Sequence, residues 1–510
     1  MIPKPPFAWE LTPKAETEAF EALKPRLGAL WESIFPGDED HYTSVVVPSL
    51  TLDSAGLKKF EGASFYEERL LFLLIRLRNP KAHLVYVTSQ PLHPLVLEYY
   101  LQFLAGVPAS HARSRLTMLS ANDDSPRPLT EKILERPRLI ERIRAGIPDK
   151  SRAYLSVFNS TPLERRLAVL LDLPMNGLDP NLRHFGSKSG GRKVFQAAGV
   201  NFPAGYEDLH SLEDVEKALM ELQKRRPGLK KAVVKLDEGF SGEGNAIFHY
   251  PEQPGRQAVR DALERVSFSV PGQTVEGYWD AYAKTGGIVE EFCEGAECAS
   301  PSVQLRINPR RQVILISTHD QILGGPFSQV YLGCRFPAND SYRPVIQEAG
   351  LRIGEVLAAS NVISRFSVDF IVTRATHNRR WNVRAVEVNL RMGGTTHPFL
   401  ALRFLVEGKL DPTTGLFQTP KSGARFYRST DNLKSDAYKG LLPEDLFDIM
   451  TYNRLHYDSA RGRGVVFHMV GALSQYGKVG LTAIGSSRDE AEALYAHTLM
   501  VLDAEAKRGH

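Results

Sequence analysis

Long apolar runs are missing from this 510-residue chain. A helix needs about 20 consecutive apolar residues to span a bilayer. The most apolar run, LLFLLIRL at 70–77, is short and carries Arg76. The opening MIPKPPFAWEL has neither the charged start nor the apolar stretch of a secretory leader, so a cytoplasmic location and no membrane partner are expected. Cysteine is scarce. Three residues are too few for a disulfide framework, and Cys293 and Cys298 in EFCEGAEC read as two small buried thiols. Charge of one sign is also lacking: 63 basic against 59 acidic residues leave a net +4, which argues against a nucleic-acid footprint. The one basic run, KRRPGLKK at 224–231, reads as a solvated turn between a helix and a strand. No internal repeat or low-complexity segment is found.

What is present fits a globular chain of more than one domain, 43% hydrophobic and 24% charged. Residues 83–108 (HLVYVTSQPLHPLVLEYYLQFLAGVP) read as strand, turn and a helix ending at Gly106. Residues 153–174 repeat the plan, with Ser160 or Thr161 as N-cap and Pro162 at the first helical position. Two such units predict a doubly wound parallel sheet over 1–180, with 120–128 as a surface loop. From about residue 181 antiparallel pairs interrupted by helices take over. Residues 409–440 read as a Pro/Thr/Gly linker. The tail, 441–510, reads as a small α/β domain of helix, strand, turn, strand and a long helix, with Ser487 as N-cap and Glu490 three residues on.

The stretch RAVEVNLRMGGTTHP (384–398) interrupts the expected core pattern. Val386, Val388 and Leu390 alternate as a core-facing set, which puts Glu387, Asn389 and Arg391 on the opposite face. A carboxylate and an amide oxygen two residues apart on a strand can reach one hard cation, and magnesium takes about six oxygens, several of them from water and phosphate. Asp369, in FSVDF, is a second polar residue inside an apolar strand and completes a divalent-cation site if the strands are neighbours. Arg391 suits a phosphate or a developing oxyanion. The loop DEGFSGEGN (237–245) carries Gly239, Gly242 and Gly244 between two strands, a composition that lets backbone N–H groups cover phosphates; as many such loops are plain hairpins. Lys235 ends the strand that feeds it, which suits a phosphate partner as well as a snorkelling edge lysine. His397 and His468 read as structural hydrogen bonders. His319 has no assigned role, and no general base is evident.

Taken in order, the lysine and glycine loops, IVEEFCEGAE and EVNLR resemble the ATP-grasp superfamily over roughly residues 181–408. YVTSQPLHPLVLEYYL, FNSTPLERRLAVLLDLPMNGLDP, FSGEGN and GVVFHMVGALSQYGKVGLTAIG look similar to the pheganomycin-type peptide ligases, and this likeness covers nearly the whole chain. The resemblance implies a preceding α/β domain at 1–180, an ATP-grasp domain of two α+β subdomains at 181–408 with a flexible glycine-loop subdomain at about 205–290, and a small C-terminal α/β domain. It implies that Lys188, Lys235, Gly239, Ser241, Gly242 and Gly244 hold the phosphates of ATP. Glu290 would accept from the adenine amine, the backbone near Glu291, Phe292 and Cys293 would bond the adenine edge, and Glu297 would hold the ribose. Asp369, Glu387 and Asn389 would bind Mg²⁺, one ion or two, with Mn²⁺ as a substitute, and Arg391 would serve catalysis. The implied activity is ATP-dependent joining of an amino acid or peptide carboxylate to an amine through an acyl phosphate. A phosphotransferase and a non-catalytic nucleotide-binding protein stand as alternatives. Small-molecule substrates are the expected partners, and the resemblance leaves a homo-oligomer open.

Overall fold

The computed structural model describes residues 11–34, 40–52, 54–58, 61–239, 244–253, 255–269, 272–325, 327, 329–376, 380–420 and 423–508. Ser241 and Gly242 lie outside them. No helix of the described residues is long and apolar enough to cross a membrane.

The first sheet is parallel. Its strands are β1 (Tyr42–Val47), β2 (Ala82–Thr88), β3 (Leu116–Ser120), β4 (Ala153–Val157) and β5 (Met175–Asn176), in the order β3-β2-β1-β4-β5. The order reverses between β1 and β4, the place where open α/β sheets gather ligands beyond the strand ends. Leu50 and Phe158, just past those two strands, line the large cleft described below. The helix Pro162–Leu171 begins as its sequence predicts: Thr161 caps it and Glu164 reaches back to the Thr161 N–H at 2.8 Å. The helix in the 83–108 unit is shorter than expected, Pro94–Leu101. The run at 70–77 lies in a 3-10 helix, Ala63–Arg78, with most of its residues buried.

The second sheet is antiparallel: β6 (Gly205–Leu209), β7 (Lys231–Leu236), β8 (Asn245–His249), β9 (Ser267–Phe268) and β10 (Gly287–Glu291), in the order β6-β10-β7-β8-β9. Val215, Leu219 and Leu222 of the helix Leu212–Arg225 and Tyr278 and Tyr282 of the helix Val275–Thr285 pack on Val234, Phe248 and Val289. These residues recur at three and four along each helix and at alternate positions on the strands, so each element buries one face.

The third sheet has eleven strands: β11 (Glu297–Ala299), β12 (Pro301–Ile307), β13 (Val313–Gly324), β14 (Val330–Phe336), β15 (Ser364–Arg374), β16 (Asn382–Asn389), β17 (Lys409–Leu410), β18 (Phe417–Thr419), β19 (Gly423–Lys434), β20 (Gly464–His468) and β21 (Lys478–Gly485). The expected linker at 409–440 is therefore corrected. β19 pairs with β14 on one side and β21 on the other, so the C-terminal hairpin continues the same sheet. The strand escaped the hydrophobic pattern because most of its buried residues are polar: Arg425, Ser429, Thr430 and Asp431 are buried, with Tyr427 the apolar exception. Ser429 meets the Thr482 hydroxyl at 2.8 Å, and Thr430 donates to the Leu332 carbonyl at 2.6 Å. One apolar core joins Leu70, Leu74 and Tyr86 near the N-terminus to Phe467, Leu481 and Leu502 near the C-terminus.

Candidate active site

β15 and β16 run side by side with Asp369 facing Glu387 and Ser367 facing Asn389. Ser302 on β12 faces Asp369 from the other side and donates to its Oδ1 at 2.6 Å. Asn389 Nδ2 donates to Asp369 Oδ2 at 3.1 Å. The expected alternation of Val386, Val388 and Leu390 is broken by a bulge, where the partner of Phe370 is Ala385. Two residues of β16 then oppose one of β15. Ala385, Val388 and Leu390 go to the core, while Val386 lines the cleft with Glu387.

Lys188 opens the helix Lys188–Ala197, whose N-cap Ser187 accepts from the Gly190 N–H at 2.9 Å. Only glycine fits at 190, because an added Cβ would lie 1.8 Å from the His184 carbonyl. Ser189 N donates to Asp237 Oδ1 at 2.7 Å, so the helix start is tied to the end of β7. From there Lys188 Nζ reaches Glu387 Oε1 at 2.6 Å. Lys235 is no edge lysine. β7 has neighbours on both sides, Lys235 is 8% exposed, and its ammonium pairs with Glu290 on β10, itself 3% exposed. Arg192 approaches the same carboxylate at 3.5 Å.

Glu290, expected at the adenine amine, is thus engaged by Lys235. Glu291 accepts from the Ala204 N–H at 3.0 Å, and the Phe292 N–H is taken by the Lys231 carbonyl at 3.3 Å. Glu291, Phe292 and Cys293 all line the cleft. Glu297 does not: it stands opposite Arg374 in the β11–β15 register and accepts from that guanidinium at 3.1 Å, while Glu294 and Cys298 face the cleft. The reading of both cysteines as buried is corrected too, since Cys298 is exposed and Cys293 half-buried. Gly239 and Gly244 meet at the neck of the loop, where a Cβ on Gly239 would come 3.2 Å from Gly244 Cα.

One cleft of about 1070 Å³ is lined by Lys188, Lys235, Asp369, Glu387, Asn389 and Arg391 together. Burial and the facing Glu387 carboxylate push Asp369 up to about 6. Burial would push Glu387 up as well, but Lys188, Arg391 and Lys235 outweigh it and hold this carboxyl below its usual range. Two carboxylates and an amide, with no sulfur or imidazole, form a hard donor set. Their mutual repulsion is what a cation relieves, so the residues fit Mg²⁺.

The histidines lie elsewhere. His397 and His468 share a proton-bearing contact at 2.8 Å, and His319 meets the Tyr427 hydroxyl at 2.6 Å. Burial lowers all three, His319 and His468 to about 3, so they are neutral hydrogen bonders. Sequence reasoning missed Arg192, one helical turn after Lys188, and Arg69, Asp431 and Lys478, which line the cleft beyond Arg391. Arg192 could have been found from its spacing to Lys188; the other three come from segments that only the fold brings together.

Among characterised proteins, the chain is 30% identical over 461 residues to the L-propargylglycine–L-glutamate ligase of Streptantibioticus cattleyicolor, a match covering 88% of this chain and 92% of that enzyme. The chain belongs to the ATP-grasp ligases. The IQCH-like ATP-grasp family model matches this ligase at residues 180–267 and 256–413, and the PGM1 C-terminal domain model matches residues 445–498. The IQ motif-containing protein H of Danio rerio is 23% identical over 543 residues, covering 96% of this ligase and 51% of that protein. The fold is shared with a Campylobacter jejuni biotin carboxylase (TM-score 0.53, 13% identity, 89% of this chain and 90% of the other). It is also shared with the N5-carboxyaminoimidazole ribonucleotide synthetase purK (TM-score 0.50, 10% identity, 91% and 97%).

Proposed function

We propose that this ATP-grasp ligase activates the carboxylate of an amino acid or peptide with ATP and transfers the acyl group to the amine of a second small molecule. The carrying observation is the cleft in which Lys188 and Lys235 stand with Asp369, Glu387, Asn389 and Arg391. The likeness to an enzyme named for joining L-propargylglycine to L-glutamate supports amino acids as substrates. Asp369, Glu387 and Asn389 would hold one or two Mg²⁺ ions, or Mn²⁺ in their place. Bound there, the metal would supply neutralisation of the charge that builds on the transferring phosphate.

This chain's residues do the rest. Lys188 and Lys235 exchange their carboxylate partners for the phosphates of ATP. The backbone between Glu291 and Cys293 receives the adenine edge, and Gly239 and Gly244, in the cleft lining, offer backbone N–H groups to the phosphates. The substrate carboxylate attacks the γ-phosphorus, ADP departs with the bonding pair, and an acyl phosphate remains. The amine nitrogen then forms the C–N bond, the carbonyl pair moving onto oxygen to give a tetrahedral oxyanion, and the acyl C–O bond breaks as that oxyanion collapses. Phosphate leaves with that electron pair and takes up the proton that the amine loses. Arg391 steadies the oxyanion between these two events; removing such a donor costs about 2.7–4 kcal/mol of barrier.

The test is ADP release with amino acids supplied singly and in pairs, with mass spectrometry of products. Release that requires both partners, with an amide product, supports the reading. Release that needs no amine, with a phosphorylated product, overturns it.

A further inference from the structure

We infer that the wall of the cleft built from Arg69, Asp431 and Lys478 is the subsite for a carboxylate carried by the amine substrate, so that the acceptor is an amino acid and not a simple amine. This rests on the ligase reading and names the substrate class of the same cleft. Arg69 comes from the 3-10 helix Ala63–Arg78, Asp431 from β19 and Lys478 from the start of β21, and all three line the cleft. Arg69 NH1 lies 3.2 Å from Asp431 Oδ2, with both side chains buried. The guanidinium is fixed further by the rings of Tyr66 and Phe158, whose centroids are 4.4 and 5.0 Å away.

Lys478 differs. It is 6% exposed, donates to the Tyr66 hydroxyl at 2.7 Å and sits over that ring. Among the described residues no carboxylate lies within ion-pair distance of it. Buried charges are ordinarily paired, and a phenol does not neutralise an ammonium. Arg69 and Lys478 against Asp431 leave one positive charge on this wall, while Lys434 and Glu61, also lining the cleft, pair with each other. One anionic group completes it, and an ammonium beside a planar guanidinium suits a carboxylate.

Position selects the substrate. Arg69 is close enough to Arg391 for their charges to oppose one another, so the wall adjoins the Arg391 end of the site. The reacting carboxylate of the acyl donor is spent at the magnesium and Arg391 end. A molecule approaching the acyl carbon from beyond Arg391 brings its own charge to Arg69 and Lys478.

The experiment compares the proteinogenic L-amino acids with their primary amides as acceptors, using the acyl donor and ATP that support ADP release. Expected for the wild type is a kcat/KM about 10- to 100-fold higher for the acid than for the amide, the range of a charged hydrogen bond. Lys478→Met should remove most of that preference by raising KM for the acceptor, with KM for ATP unchanged. Lys478→Arg should restore it. Equal use of acid and amide by the wild type overturns the inference without any variant, and so does a Lys478→Met enzyme that keeps the full preference. A wild type that releases no ADP with any pair overturns the ligase reading itself, a result distinct from either.

Discussion

At the scale of single residues, the site is a set of exchangeable charge pairs. Lys188 holds Glu387 and Lys235 holds Glu290, and nucleotide binding must replace each contact. Glu387→Gln keeps the shape and hydrogen-bonding capacity but removes a charge from the metal face. Turnover should fall by about 100-fold or more, as when one electrostatic contact to transferring charge is lost, while binding of an ATP analogue stays measurable by calorimetry. Lys235→Met leaves a carboxylate buried beside Arg192 alone. Unfolding in urea should show a loss of about 3–5 kcal/mol, the cost of an uncompensated buried charge. Adding Glu290→Gln should recover much of it, and two losses that simply add would show that the pair is not coupled.

At the scale of elements, the strands place those charges through close backbone approach. β10 lies against β7 with Gly287 beside Lys235 in register terms one step removed. A Cβ on Gly287 would come 2.1 Å from the Lys235 carbonyl oxygen. Gly287→Ala should therefore push β10 away from the strand that carries Lys235. Weaker nucleotide affinity and a lower melting temperature are expected together; unchanged affinity in a folded protein would place Lys235 outside the nucleotide contacts. The bulge in β16 acts in the same way on the other wall, turning Val386 and Glu387 to the cleft where strict alternation would have buried one of them.

At the scale of the whole molecule, the two ends of the chain close one core and one end of the site. Glu68, from the N-terminal 3-10 helix, accepts from the Gly471 N–H at 3.2 Å next to the C-terminal hairpin. Burial, with the Glu67 carboxylate adding to it, pushes Glu68 up to about 8, and burial pushes Glu67 up to about 7. A carboxyl raised in the folded state binds its proton more tightly folded than unfolded. Its stabilising contribution is full below about pH 4.5 and is lost as pH rises to about 8, with a slope of at most about 1.4 kcal/mol per pH unit for each group. Glu68→Gln should flatten that slope. The variant should match the wild type near pH 5 and exceed its stability at pH 8.5 in denaturant titrations; parallel pH profiles would show that Glu68 ionises freely in the fold.

Local chemistry determined much of this protein from the sequence alone. Helix caps at Thr161 and Ser487, the parallel strand–helix units, and the polar residues breaking apolar strands at Asp369 and Glu387 each show as a pattern within a few residues, so they are visible along the chain. Tertiary structure alone decided that β19 is a sheet strand, because most of its buried residues are polar and Ser429 and Thr430 are satisfied by hydrogen bonds to β21 and β14. It alone paired Lys235 with Glu290 and Lys188 with Glu387, and turned Glu297 toward Arg374. It also brought Arg69, Asp431 and Lys478, more than 350 residues apart along the chain at their extremes, onto one wall. Charge partners act through space, and spacing along a sequence carries no record of which strands will lie side by side.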